Sequence, residues 1–295
     1  MGHNHDHSHH HSEGNVKLAF FLNLSFTIIE IIGGLYTNSL AILSDALHDL
    51  GDSLSLGLSW YFQKLSKKGR TKTFSYGYRR FSLLGAIINS IVLVAGSIFI
   101  LTKAIPELFN PEETDAEGML YLAILGIVVN GAAVFKLRKG DSLNEKVVSL
   151  HLLEDVLGWV AVLIGSIIMM YVDAPFIDPL LSVLISLFVL YNVYKNLKKS
   201  LLVILQGIPD DVDIDEIRTK LKDIAAITDI HDCHVWSMDG QYNILTIHLR
   251  LNKDYKLSDQ SELKERVKEK LKNESINHIT IEFEGKDENC ESVDC

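Results

Sequence analysis

The stretch Leu40–Phe62 reads LAILSDALHDLGDSLSLGLSWYF. About 20 mostly apolar residues cross a bilayer, and this run is long enough, yet it holds Asp45, His48, Asp49 and Asp52. A second apolar run, Val148–Tyr171, repeats the spacing: His151-Leu-Leu-Glu-Asp155 answers His48-Asp-Leu-Gly-Asp52. Residues four apart on a helix lie about 40° apart around its axis and one turn apart along it, so each His and its Asp share a side. Two such helices face to face supply two imidazoles and two carboxylates. That donor set suits a tetrahedral divalent ion of borderline softness, typically Zn²⁺. A charged side chain at mid-membrane costs about 2.5–3.5 kcal/mol even on the lenient insertion scale. A bound metal ion or protons offset that cost. Interhelical hydrogen bonding is the competing reading; it suffices for one such His, and the same motif on two spans favours the metal. Asp45, three residues before His48, falls on nearly the same face and can line an aqueous path to the site. Asp49 is about 100° off and is expected to face another helix or water. Asp178, just before Pro179, is expected to act as a cap.

Six spans are expected: Val16–Tyr36, Leu40–Phe62, Ser82–Leu101, Met119–Phe135, Val148–Tyr171 and Phe176–Tyr194. Lys and Arg concentrate in loops on one side, which sets orientation. The loop after the second span has Lys64, Lys67, Lys68, Arg70, Lys72, Arg79 and Arg80. The loop after the fourth has Lys136, Arg138, Lys139 and Lys146, and Lys195, Lys198 and Lys199 follow the sixth. The opposite loops are acidic or bare. Both termini are therefore expected in the cytoplasm, with the protein in the plasma membrane.

The composition agrees. Of 295 residues 47% are hydrophobic and 22% charged, and the charge is segregated into the start, the loops and the region after Lys195. A formal net charge of −10 argues against nucleic acid as a partner. Three cysteines, Cys233, Cys290 and Cys295, without a signal peptide, do not suggest a disulfide framework.

From Asp210 the chain reads as a small soluble domain. Ile214–Ala225 has helical spacing, His231–Met238 and Ile244–Leu251 read as strands, Ser258–Lys272 as an amphipathic helix opened by Ser258, and Ile279–Glu284 as a strand. The expected fold is thus an α-helical membrane protein of six transmembrane helices plus a small α+β domain of order α-β-β-α-β. The expected divisions are a His-rich tail (1–14), a transmembrane domain (15–200), a linker (201–209), a ferredoxin- or metallochaperone-like metal-binding domain (210–285) and a Cys-containing tail (286–295). His231 and His248 fall on neighbouring strands, and Glu282 and Glu284 share one face of the last. With Cys290 and Cys295 they are candidates for cytoplasmic metal sites. His3, His5, His7, His9, His10 and His11 make the N-terminal tail a weak metal collector.

The six spans, the two His-x-x-x-Asp motifs, the His-rich head and the α-β-β-α-β domain resemble the cation diffusion facilitators, specifically the bacterial cobalt–zinc–cadmium resistance exporters. Ser39-Leu-Ala-Ile-Leu-Ser-Asp-Ala-Leu-His48, Phe74-Ser-Tyr-Gly-Tyr-Arg-Arg-Phe81 and His231-Asp-Cys-His-Val-Trp236 also look like family signatures. The resemblance implies a homodimer that exchanges cytoplasmic divalent metal (Zn²⁺, also Cd²⁺ or Co²⁺) for external protons. It implies a transport site at His48, Asp52, His151 and Asp155, and a zinc-binding C-terminal domain using His231, His248 and Glu282. Cys290 and Cys295 resemble the C-terminal cysteine pair of some members. Zn²⁺ is then transported cargo and a regulatory ion, with no prosthetic group. Some members carry a His-built site in the loop after the second span; Ser75-Tyr-Gly-Tyr-Arg-Arg80 has no His, so none is expected here.

Two other classes compete. A metal sensor signalling through the C-terminal domain predicts that substitutions of Asp52 or Asp155 leave its output intact. An intramembrane metalloenzyme needs an open ligand position, which four protein ligands do not leave, so no enzymatic activity is expected.

Overall fold

A computed structural model describes residues 9–66, 68–137, 143–288 and 290. It contains six long helices, α1 (His9–Thr37), α2 (Leu40–Ser66), α3 (Phe81–Glu107), α4 (Ala116–Leu137), α5 (Leu143–Tyr171) and α6 (Ile177–Ile204). They are followed by α7 (Ile214–Lys222), β1 (Ile227–Ser237), β2 (Asn243–Leu251), α8 (Leu257–Lys270) and β3 (Ile276–Glu284). The chain divides into two compact units. The residues up to Leu65 join Gly85–Asn196 in the first, and Ser66–Leu84 join the chain from Leu197 in the second.

Among the described residues, five helices have the length and apolar composition to cross a membrane: Phe20–Thr37, Phe81–Glu107, Ala116–Phe135, Leu152–Tyr171 and Ile177–Ile204. The long helix α2 falls outside that set because Asp45, Asp49 and Asp52 interrupt its apolar run. The helices bury small and polar residues and expose large apolar ones. Thr27, Ser44, Ser97, Ser166 and Ser182 are buried, whereas Ile32, Leu35, Ile91, Phe99, Leu184 and Phe188 are exposed. This inverts a soluble bundle. Small side chains let membrane helices approach, and lipid takes the apolar exterior.

One boundary differs from the sequence expectation. α6 continues to Ile204 through the stretch expected to be linker. Lys195, Lys198 and Lys199 end the apolar run there without ending the helix, since lysine is a good helix former.

Asp178 is a cap, but of another helix. In the first turn of α6, it accepts hydrogen bonds from the backbone N–H of Leu40 (2.7 Å) and Ala41 (3.3 Å) and from Ser39 Oγ (2.5 Å). These satisfy orphan donors at the start of α2. Ser44 of α2 and Ser182 of α6 add a hydroxyl contact of 2.7 Å one turn on. Asn23 of α1 donates to Asp49 O and Ser53 Oγ of α2, both at 3.0 Å. Gly126 of α4 packs against the indole of Trp159 of α5, which is buried.

The second unit has a three-stranded sheet of order β1-β2-β3, antiparallel between β1 and β2 and parallel between β2 and β3. The parallel pair requires a crossover, which α8 provides. Asp213 caps α7 by accepting from Asp215 N (2.8 Å) and Glu216 N (3.2 Å). Ser258 does not open α8; the helix starts at Leu257 with Lys256 in the cap position and no side-chain cap. Ile217, Leu221, Leu245, Ile247, Leu249, Val267 and Leu271 fill the core between sheet and helices. The loop between α2 and α3 belongs to this unit: Arg79 lies 3.8 Å from Asp239 and stacks 4.2 Å from the Tyr242 ring centre.

Candidate metal centres

The first candidate lies between α2 and α5. His48 Nε2 is 3.8 Å from Asp52 Oδ2 on its own helix and 3.9 Å from Asp155 Oδ1 on α5. Donors at about 2.0–2.2 Å from a tetrahedral zinc sit about 3.3–3.6 Å apart. These three side chains are therefore nearly spaced to share an ion. All are largely shielded, with 15%, 25% and 10% of their side-chain surface exposed. His151 stands one turn before Asp155 on α5; its side chain lies outside the described residues. Asp45 is buried, has one oxygen without a hydrogen-bond partner, and faces α5 at Gly158. Asp49, buried as well, turns to α1, where Glu30 is its neighbour.

The second candidate is on the sheet of the C-terminal unit. His231, His248 and Glu282 are register partners across β1, β2 and β3. Glu284, two residues on, is covered: His231 Nε2 and His248 Nδ1 both approach its Oε1 at 3.0 Å. Cys290 returns to put Sγ 3.6 Å from His248 Nδ1. One donor atom from each of His231, His248, Glu284 and Cys290 lies within 4.8 Å of the other three.

The donor set fits a divalent metal of borderline softness, and the surroundings fit as well. His231 Nδ1 meets Asp229 Oδ2 at 3.2 Å, and His248 Nε2 meets Asp232 Oδ2 at 3.2 Å. Each ring thus has carboxylates at both nitrogens, but a neutral imidazole has only one N–H. The second position calls for another proton or a metal, and a carboxylate behind the ring is the usual support of a ligating His. Burial pushes the Glu284 carboxyl up, but hydrogen bonds from Cys290, His231 and His248 outweigh it and hold the group below its ordinary range. The thiol of Cys233, elsewhere on β1, is pushed up by burial despite Arg218 beside it.

Of the expected C-terminal ligands, four come together. Glu282 does not join them: its side chain is 66% exposed and reaches the other nitrogen, His248 Nε2, at 3.5 Å. Cys295 lies outside the described residues, as do His3, His5 and His7 and the side chains of His9, His10 and His11. Asp229 and Asp232 were not anticipated. Asp232 has φ +45° and sits in a register shift between His231 and His234; such bulges re-aim side chains, and aspartate tolerates that conformation.

Residues 16–205 match the cation efflux transmembrane domain and residues 209–286 the cytoplasmic domain of cation efflux proteins. The chain belongs to the cation efflux family. Within this family it is 33% identical over 288 residues, 96% of this chain and 92% of the relative, to the cadmium, cobalt and zinc/H(+)-K(+) antiporter of Bacillus velezensis. It is 35% identical to the metal cation efflux system protein CzcD of Cupriavidus metallidurans, covering 96% of this chain and 90% of that one. It is 30% identical to the zinc transporter ZitB of Escherichia coli, covering 100% and 96%. For a cation efflux protein with at least five apolar helices long enough to span, the membrane is the setting, and the pair of motifs in α2 and α5 is the constellation to explain.

Proposed function

We propose that this cation efflux protein exports Zn²⁺, with Cd²⁺ and Co²⁺ as further cargo, from the cytoplasm in exchange for protons. The observation that carries the reading is the approach of His48 on α2 to Asp155 on α5, with Asp52 and His151 one turn away on the same two helices. The name of the Bacillus velezensis relative, which joins cadmium, cobalt and zinc to H(+)-K(+) antiport, supports the cargo and the counter-ion. The names of the other two, a metal cation efflux protein and a zinc transporter, support the cargo. No observation favours a sensor.

To load from the cytoplasm, His48 and His151 are neutral while Asp52 and Asp155 are ionised. When the site faces a more acidic outside, imidazole protonation lowers metal affinity and favours release. The protons return with the empty site. Asp45, on the same face of α2 and nearer its outer end, lines the approach from outside. Four protein ligands fill a tetrahedral shell, so no enzymatic step is assigned.

α2 is the sixth span, its acidic residues turned to the bundle rather than to lipid. Both chain ends are cytoplasmic, which the basic loops support; the Arg79 contact with Asp239 keeps one of those loops beside the C-terminal domain. The working protein is a homodimer. The cluster of His231, His248, Glu284 and Cys290 holds a regulatory Zn²⁺, with Asp229 and Asp232 orienting the two rings. Glu282 borders the cluster at His248 Nε2, Cys295 is a further candidate ligand, and the N-terminal histidines collect metal.

Zinc uptake into proteoliposomes tests the exchange. An acid interior is expected to accelerate uptake, and dissipating the gradient to slow it. Uptake that ignores an imposed pH gradient contradicts the reading.

A further inference from the structure

The buried acids of the membrane helices outnumber what one metal ion balances. No Lys or Arg occurs in Phe20–Phe62, Phe81–Thr102, Met119–Phe135 or Val148–Tyr194. A divalent ion between α2 and α5 compensates Asp52 and Asp155. Glu30, Asp45, Asp49 and Asp178 are left, all buried. Asp178 has its donors at the start of α2, which leaves Glu30, Asp45 and Asp49.

Glu30 on α1 is the most enclosed, with 1% of its surface exposed, and neither of its oxygens finds a hydrogen-bond donor among the described residues. The ionisable groups that act on it come from two other helices: Asp49 and Asp45 of α2, and Asp155 of α5. Helix α4, which packs along α1, has no ionisable residue from Leu122 to Phe135. Two neighbouring carboxyls can hydrogen-bond only when one is protonated. An ionised carboxylate buried without a cation or donor costs several kcal/mol or more, and such groups neutralise instead. With acids as its charged neighbours, Glu30 answers that cost with a proton.

We propose that Glu30 is a proton-binding site of the exchange, distinct from the metal ligands. This rests on the export reading above. When Zn²⁺ enters between His48 and Asp155, two positive charges arrive beside acids that already act on Glu30. Its O–H bond then breaks, the proton passes to water and so to the aqueous phase, and the carboxylate that remains is held by the field of the ion. When the ion departs outward, the uncompensated acids draw a proton back onto Glu30. Linkage is reciprocal: a proton on Glu30 weakens metal binding as much as metal weakens the proton. Glu30 thereby ties metal release to proton uptake without occupying a ligand position.

The test counts protons. Full-length protein in detergent, in weakly buffered solution near neutral pH, is titrated with Zn²⁺ while a pH indicator reads protons released per zinc bound. Glu30→Gln is expected to bind the same number of zinc ions and to release fewer protons, by up to about one per transport site. Its flux in liposomes is expected to lose part of its acceleration by an acid interior, the part that His48 and His151 do not supply. Glu30→Asp, which keeps the acid, is expected to keep the wild-type proton count. Glu30→Leu removes the buried polar group with the acid, so a folding failure peculiar to the amide leaves the question answerable. An unchanged proton count in Glu30→Gln or Glu30→Leu overturns the proposal. If wild-type flux still follows the pH gradient in that case, the export reading stands and only the role of Glu30 falls. Wild-type flux that ignores the gradient removes the exchange itself.

Discussion

His231 and His248 face each other as register partners on β1 and β2, with ring centres 5.6 Å apart, and both reach the same oxygen of Glu284 at 3.0 Å. Two strands, a third strand and the returning tail at Cys290 thereby converge on one point. A metal there would bind the folded arrangement in preference to the unfolded chain, and would stabilise the unit by mass action.

The ligands and their supports separate by substitution. In full-length protein carrying Asp52→Ala and Asp155→Ala, isothermal titration reads the C-terminal centre without the membrane motifs. His248→Ala is expected to remove a zinc site from the stoichiometry. Asp232→Asn is expected to keep the site and weaken it by about 10–100-fold, because it supports the ring rather than the ion. Equal stoichiometry in wild type and His248→Ala would count against the centre.

The Glu284 carboxyl gives a pH dependence of definite sign. Its folded value lies below the ordinary one. Its contribution is therefore full above the unfolded value of about 4.3 and is lost as pH falls through the lower folded value. In metal-free protein, the stability difference between wild type and Glu284→Gln is expected to shrink on acidification below about pH 4.3 and to stay constant between about pH 7 and pH 9. Thermal unfolding with chelator at several pH values checks it. A difference that grows on acidification contradicts the assignment.

Asp178 holds the start of α2 in place from a position 138 residues away. Asp178→Ala should destabilise the membrane unit by about 1–2 kcal/mol, the usual cost of a lost cap. Asp178→Asn, which keeps an acceptor, should lose less. Thermal unfolding in detergent at constant pH distinguishes the three proteins, and indistinguishable midpoints would remove the cap from the account.

Gly126 leaves room for the Trp159 indole, one turn beyond Asp155 on α5. A Cβ at position 126 would overlap that ring, which is rigid and buried. Gly126→Ala should cost about 1–3 kcal/mol of overpacking and displace α5 enough to slow zinc flux. Trp159→Phe in the same background, by vacating volume, is expected to restore part of it. Normal flux and stability in Gly126→Ala would contradict this.

Much of this was legible in the chain because it depends on period. Helical spacing put Asp52 one turn from His48, within 3.8 Å, and strand alternation put Glu282 and Glu284 on one face of β3. What was hidden depends on contacts between distant segments. Glu282 and Glu284 share a face, and the contacts that His231, His248 and Arg250 make with the second of them set the two apart. Asp178 read as a cap, but which helix it caps was hidden because its partner, Leu40, is remote in sequence. Asp232 reaches His248 through a register shift that alternation does not encode. Charge at Lys198 and Lys199 ended the apolar run of α6 but not its helix.

On the export reading, His48, Asp52, His151 and Asp155 carry a divalent ion across the membrane. The most direct measurement is zinc flux into proteoliposomes under an acid-inside gradient, comparing wild type with Asp52→Ala and Asp155→Ala at equal reconstituted amounts. Gradient-driven uptake in the wild type and its loss to background in both variants is the predicted result. Uptake by Asp155→Ala at the wild-type rate would contradict it.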